Sequence, residues 1–150
     1  MVSSWQMVLG GFLVDFISKQ VVCRKLPEEK KIPLYKEKVY LWHRKNRGIS
    51  YGFFQQKMSA IVAISGLVLG GCVFWLRHAA KEGSHLEQAG LSLLLGGAMG
   101  NWLERLRHKR VTDFIYIKGK HAPVFNIADG LIWVGALLVL LANLWTKKEY

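Results

Sequence analysis

Residues 59–76 read SAIVAISGLVLGGCVFWL, with no charged side chain among them. A helix that is uncharged on every side has no polar face to offer water. The run also approaches the roughly 20 residues that carry a helix across a bilayer. Two further stretches share its character, from Gln88 to Leu103 and from Gly130 to Thr146, and neither contains a charge. A fourth, Trp5 to Cys23, is as long but carries Asp15 and Lys19. No Lys or Arg precedes this first run and it is longer than a secretory h-region, so it reads as a retained helix and not as a cleaved leader. The pattern predicts an all-α membrane protein. Its four transmembrane helices fall at about 5–23, 59–76, 86–106 and 126–145, in a single domain over 1–150.

The composition fits that reading. The chain has 150 residues, of which 51% are hydrophobic and 21% charged, with a formal net charge of +11. Six Trp, seven Phe and five Tyr exclude a disordered chain, and two cysteines exclude a disulfide framework. A basic balance this strong would suggest nucleic acid in a soluble protein. Here 16 of the 21 Lys and Arg lie in two stretches, 24–58 and 104–125, between the apolar runs. The charge is therefore a membrane-surface property. Membrane lipids are expected partners and nucleic acid is not, and the cluster Arg105-Leu-Arg-His-Lys-Arg110 suits anionic headgroups.

The stretch 24–58 is long for a helix connection. Within it, Lys38-Val-Tyr-Leu-Trp-His43 is rich in strand formers and predicts a short strand at headgroup level. Arg77 marks the expected end of the second helix, and the short connection 77–85 makes helices two and three antiparallel neighbours. Gly66/Gly70 and Gly96/Gly100 have the spacing that lets membrane helices approach closely. Cys72, within an apolar run, reads as inert packing, and a bridge to Cys23 is not expected.

Ionisable groups within membrane spans are costly and point to function. Asp15 and Lys19 stand four apart on one helix face, and Asn101 and Arg105 repeat the spacing. Asp113 follows in what reads as a short loop, and Asp129 opens the last span, so the two aspartates flank one re-entry into the membrane. Two carboxylates brought together share a proton, and one then serves as base toward water while the other donates. Arg105 could offset their charge or fork onto one carboxylate. On spacing alone the plainer alternative has the edge: Asp129 as a helix cap and Asp113 paired to a lysine. The five His show no metal-binding spacing, and no phosphate loop or serine elbow is present.

These residues carry a resemblance to the lipoprotein signal peptidase (signal peptidase II) family. Asp15-Phe-Ile-Ser-Lys19 looks like its first motif, and Asn46-Arg-Gly48-Ile-Ser-Tyr-Gly52 its second. Gly96-Gly-Ala-Met-Gly-Asn101-Trp-Leu-Glu-Arg105 resembles the third. Val111-Thr-Asp113-Phe-Ile115 and Phe125-Asn126-Ile-Ala-Asp129 resemble the fourth and fifth. Five motifs in order cover nearly the whole chain. The resemblance implies an aspartic endopeptidase that removes the signal peptide from diacylglyceryl-modified prolipoproteins just before the lipobox Cys. Asp113 and Asp129 would be catalytic. Asp15, Lys19, Asn46, Gly48, Asn101, Arg105 and Asn126 would bind substrate or orient the pair. It implies prolipoprotein substrates, no metal and no organic cofactor, and a monomer is the default expectation. Residues 24–58 would supply an extracytoplasmic β-strand platform. Glu104 stands where the family has Asp, Ser50-Tyr51 where it has Ala-Phe, and Gly130 where Ser is common and would add a helix-start hydrogen bond. These departures motivate an alternative, a catalytically silent homologue that binds lipoproteins or lipids as an accessory membrane protein.

The two orientation signals disagree. The resemblance implies a multi-pass protein of the bacterial cell membrane, with the site and the stretches 24–58 and 104–125 toward the extracytoplasmic face. The positive-inside bias favours the reverse, with 16 Lys and Arg in those stretches against four in residues 77–88 and the C-terminal tail. The motifs are given the greater weight, because loop charge is only a bias.

Overall fold

The computed structural model describes residues 3–47 and 58–146. Among the described residues, four long helices carry a four-stranded sheet at one end. Helix α1 spans Ser4–Lys25. Ser3 caps it by accepting from the Gln6 amide while the Gln6 side chain accepts from the Ser3 amide, and Pro27 follows its end. Helix α2 spans Met58–Glu82 and so runs past Arg77, the expected stop. Arginine is a good helix former, and the helix ends instead at Gly83. Ser84 then caps α3, His85–His108, by accepting from the Glu87 amide at 3.1 Å. The last helix, α4, spans Ile127–Thr146.

Three of these helices, α1, α2 and α4, are long and apolar enough to cross a membrane. The expected span at 86–106 forms a helix, but α3 falls short of that hydropathy. The reason lies in its position. It packs against each of the other three, so its surface is built from Gly90, Ser92, Gly96, Gly97, Gly100 and Asn101, all buried against protein. The other three turn large apolar side chains outward, among them Leu9 and Ile17, Leu67 and Phe74, and Trp133 and Leu140. Val8, Leu76, Ala79, Leu91, Leu95 and Val139 form a core that joins all four helices.

The sheet is larger than the single strand expected over 38–43. Strands β1 (Lys31–Tyr35), β2 (Val39–Asn46), β3 (Val111–Ile117) and β4 (Val124–Phe125) pair antiparallel in chain order. The segment around Asp113, expected as a loop, is β3. Every residue of VTDFIYI except the aspartate is β-branched or aromatic, and such side chains suit a pleated, half-buried surface. Val22, Leu26 and Phe114, with Leu41, Ile115 and Ile127, seat the sheet on the ends of α1 and α4. Asp113 is thereby placed beside the first turn of α4.

The glycines on α3 set how closely its neighbours approach. A methyl at Gly97 would stand 2.5 Å from the Ala128 carbonyl oxygen of α4, and one at Gly96 2.7 Å from the Val8 carbonyl oxygen of α1. Gly90 and Gly135 face each other with the same intimacy, a pair the spacing did not reveal. The expected Gly66/Gly70 pair holds for one member. A methyl at Gly66 would stand 3.2 Å from the Trp102 ring nitrogen, while one at Gly70 would meet open space. Gly97→Ala is therefore expected to cost about 1–3 kcal/mol by overpacking. Gly70→Ala should gain about 0.5–1 kcal/mol of helix propensity. Thermal unfolding in detergent checks the contrast, since the two changes must move Tm in opposite directions. Cys23 and Cys72 are both free.

Candidate active site

Lys19 is the node from which the site is built. On α1 its ammonium sits 2.8 Å from the Asp15 carboxylate one turn earlier and 3.2 Å from the Glu104 carboxylate of α3. It also donates to Asn101 Oδ1 at 2.8 Å. Asp15 is fully buried, and its other oxygen accepts from the Ala128 amide at 2.9 Å. A carboxylate there satisfies one of the orphan N–H groups at the start of α4 and suits the positive end of the helix dipole. One turn of α1 thus fixes both a side chain of α3 and the backbone of α4.

Asn101 passes this order on. Its Oδ1 accepts from Lys19 and, at 3.2 Å, from Asn126 Nδ2, while its Nδ2 donates to Asp129 Oδ1 at 2.8 Å. Asn126 precedes α4 and forms a reciprocal cap with Asp129. Its Oδ1 accepts from the Asp129 amide at 3.0 Å, and its own amide donates to Asp129 Oδ2 at 3.1 Å. The same Asn126 side chain donates to Asp113 Oδ1 at 2.7 Å. Asn46 of β2 donates to the other Asp113 oxygen at 3.1 Å. The two aspartates are therefore held on either side of one amide.

The two alternatives left by spacing resolve in different ways. Asp129 does cap its helix, as the plainer alternative held, and still directs an oxygen to Asn101. Asp113 has no lysine within ion-pair distance among the described residues and is held by two asparagines. Both aspartates line one cavity of about 820 Å³, together with Asn46, Asn101 and Arg105. Burial first, and then the negative charge of Asp129, push the Asp113 carboxyl up to about 7 from 3.8, against the opposing effect of the Asn46 and Asn126 donors.

Asp15, Lys19, Asn46, Asn101, Asp113, Asn126 and Asp129 are thus joined in one hydrogen-bonded network. Arg105 lines the cavity without joining it. Its Nε is buried with no hydrogen-bond partner, and the expected fork onto a carboxylate is not formed among the described residues. Gly48, with Ser50, Tyr51 and Gly52 of the same motif, lies outside the described residues. Glu104, read from sequence only as a departure from the family pattern, and Thr112, not singled out at all, join the site. Glu104 Oε1 accepts from both the Thr112 amide, at 3.0 Å, and the Thr112 hydroxyl, at 2.6 Å, and so ties α3 to β3. Glu104 follows Asn101 by three on the same helix face, which is the signal that could have found it. The Gly130 amide bonds back to the Asn126 carbonyl at 3.3 Å, and the start of α4 is held by Asn126, Asp129 and Asp15 without a serine there.

The fold is similar to that of solved structures described as bacterial membrane enzymes. One such structure, solved by the in meso method at 2.3 Å, matches with a TM-score of 0.87 over 97% of this chain and 90% of its own, at 24% identity. A second, solved by the same method at 1.9 Å, matches with a TM-score of 0.81 over 94% and 92%, also at 24% identity. The chain belongs to the signal peptidase II family, because residues 7–145 match the family described as signal peptidase (SPase) II. Members of that family are proteases of lipoprotein processing that act on prolipoproteins in membranes. With three apolar helices long enough to span, the chain is a multi-pass bacterial membrane protein.

Proposed function

We propose that this chain is an aspartic endopeptidase that cuts diacylglyceryl-modified prolipoproteins just before the lipobox Cys. The observation that carries the proposal is the Asp113–Asn126–Asp129 arrangement in one cavity. Asp113, with its raised carboxyl, is the member that holds the shared proton as pH approaches about 7 from below. Asp129 then takes a proton from water as the water oxygen attacks the scissile carbonyl. Asp113 protonates the leaving amine as the C–N bond breaks, which leaves a carboxylic acid and a free amine. Asn126 and Asn101 hold the two carboxylates in place, and Asn46 fixes Asp113. Arg105, whose charge reaches both aspartates, binds the substrate backbone together with Gly48. Asp15 and Lys19 position Asn101 and the start of α4. In this reading α3 crosses the bilayer as a fourth span sheltered by its neighbours. The sheet end of the molecule, with the site, faces the extracytoplasmic side.

Purified protein in detergent should cleave a lipobox peptide bearing the diacylglyceryl-modified Cys, with the product starting at that Cys. Failure to cleave it under any lipid condition would end the proposal. No observation favours the silent homologue, because Glu104, one departure behind it, is fully engaged by Lys19 and Thr112.

The raised Asp113 carboxyl gives two pH dependences. Cleavage should decline as pH rises through about 7, because the proton shared by the pair is lost. Stability follows by linkage. A carboxyl whose pKa is higher in the folded chain than in the unfolded one binds more proton when folded, so stability falls as pH rises between the two values. That window runs from 3.8 to about 7. Asp113→Asn should flatten the dependence, as read by chemical unfolding at a series of pH values.

A further inference from the structure

A second cavity, of about 280 Å³, opens between α1 and α3 at the sheet end of the helices. Among the described residues it shares only Lys45 with the cavity that holds the aspartates. Asp15, Lys19 and Glu104 form its polar side, and Phe16 and Leu103 its apolar side. Arg107 and Arg110 line it where α3 ends and the chain turns into β3.

Two features decide what fits there. The first is charge. Lys45 is committed to Glu28 at 2.8 Å, and Lys19 to Asp15 and Glu104. Arg107 and Arg110 form no ion pair within 4 Å among the described residues. Lys19 is taken up by two carboxylates, so Arg107 and Arg110 are the cations left to an incoming anion, and their planar forks match phosphate. The second feature is the apolar wall. Phe16 is exposed and stacks on Phe12, with ring centroids 6.0 Å apart, and it continues into the outward face of α1 at Leu13 and Ile17. A free phosphate would have no use for that wall, whereas a phosphate with acyl chains beneath it meets both features at once.

We propose that this cleft binds an anionic phospholipid, its phosphate held by Arg107 and Arg110 and its chains lying along Phe12 and Phe16. Basic pockets between membrane helices bind anionic lipid headgroups, and here the two arginines border a cavity between α1 and α3.

Cys23 lines the cleft and is exposed, so it reports on occupancy. The experiment uses the full chain with Cys72→Ser in nanodiscs of phosphatidylglycerol or phosphatidylcholine, and reads the rate at which an uncharged maleimide labels Cys23. An anionic surface slows thiol reagents generally, so R107Q/R110Q in the same discs is the reference. Labelling should be several-fold slower in phosphatidylglycerol for the parent than for R107Q/R110Q, with the slowing regained in R107K/R110K. Native mass spectrometry should show phosphatidylglycerol retained by the parent and lost from R107Q/R110Q. Equal labelling of parent and R107Q/R110Q in phosphatidylglycerol would overturn the proposal. Slowing by glycerol 3-phosphate in phosphatidylcholine discs would overturn the lipid as occupant. Neither readout requires peptide cleavage, so the outcome is independent of the peptidase reading.

Discussion

Asp113→Asn and Asp129→Asn are each expected to reduce cleavage of a lipid-modified lipobox peptide by about 10³-fold or more, to below detection in an ordinary assay. Positioned proton transfer contributes about 10²–10⁴-fold, and in the proposed mechanism each carboxylate has a distinct share of it. Asparagine keeps the size of the side chain but removes the proton donor in one case and the base in the other. The fold should survive both changes at some cost. Asp113 accepts from Asn46 through one oxygen and from Asn126 through the other, so an amide there turns an NH₂ toward one donor. Asp129 is engaged likewise by Asn101 and by the Asn126 amide, and its replacement also weakens the cap on α4. Each change should cost about 1–2 kcal/mol. Helical circular dichroism and Tm separate a folded, inactive variant from a collapsed one. Cleavage retained in either folded variant would remove that aspartate from the catalytic pair.

Lys19→Met is expected to be the most damaging single change to stability, at about 3–5 kcal/mol. Removing one partner from a buried ion cluster leaves the others charged without compensation. Here Asp15 and Glu104 would both face the cavity left by the ammonium, within contact of each other's field. The cluster need not be stabilising as a whole. Asp15→Asn should do less harm, because the Lys19–Glu104 pair persists. The triple change Asp15→Asn, Lys19→Met, Glu104→Gln should recover much of what Lys19→Met loses. Unfolding in mixed micelles reads the series, and a Lys19→Met protein as stable as the parent would refute the account of Lys19 as the node.

Much of this was legible in the sequence because membrane physics is severe. The three uncharged runs and the two charges of the first run located four helices, since a bilayer leaves few ways to place them. The helix ends were less legible. Arg77 read as a stop because it ends an apolar run, but helices end at caps, and Gly83-Ser84 was the real signal. The third helix was legible as a helix but not in its packing: its glycines and Asn101 are the surface that meets the three neighbouring helices. The strand around Asp113 was missed because Val111-Thr-Asp-Phe-Ile115 is short and sits between basic residues, and only its pairing with β2 makes it a strand. Candidate site residues were picked out by rarity, acid and amide groups standing where the chain can least tolerate them. Glu104 was read only as a departure from the family pattern, although its spacing from Asn101 puts it on the same helix face, and Thr112 was missed because its contact joins two segments that no local spacing records.

The amide of Asn126 is at once the beginning of a helix and the gauge between two acids. Successive residues of a helix are rotated by about 100°, so a start displaced by one residue would swing Asp129 out of reach of Asn101 and part the two carboxylates. A copy of this protein inserted in the wrong register would therefore lose the pairing on which the proposed cleavage rests. Under that mechanism, errors of assembly end in silence and not in indiscriminate cutting.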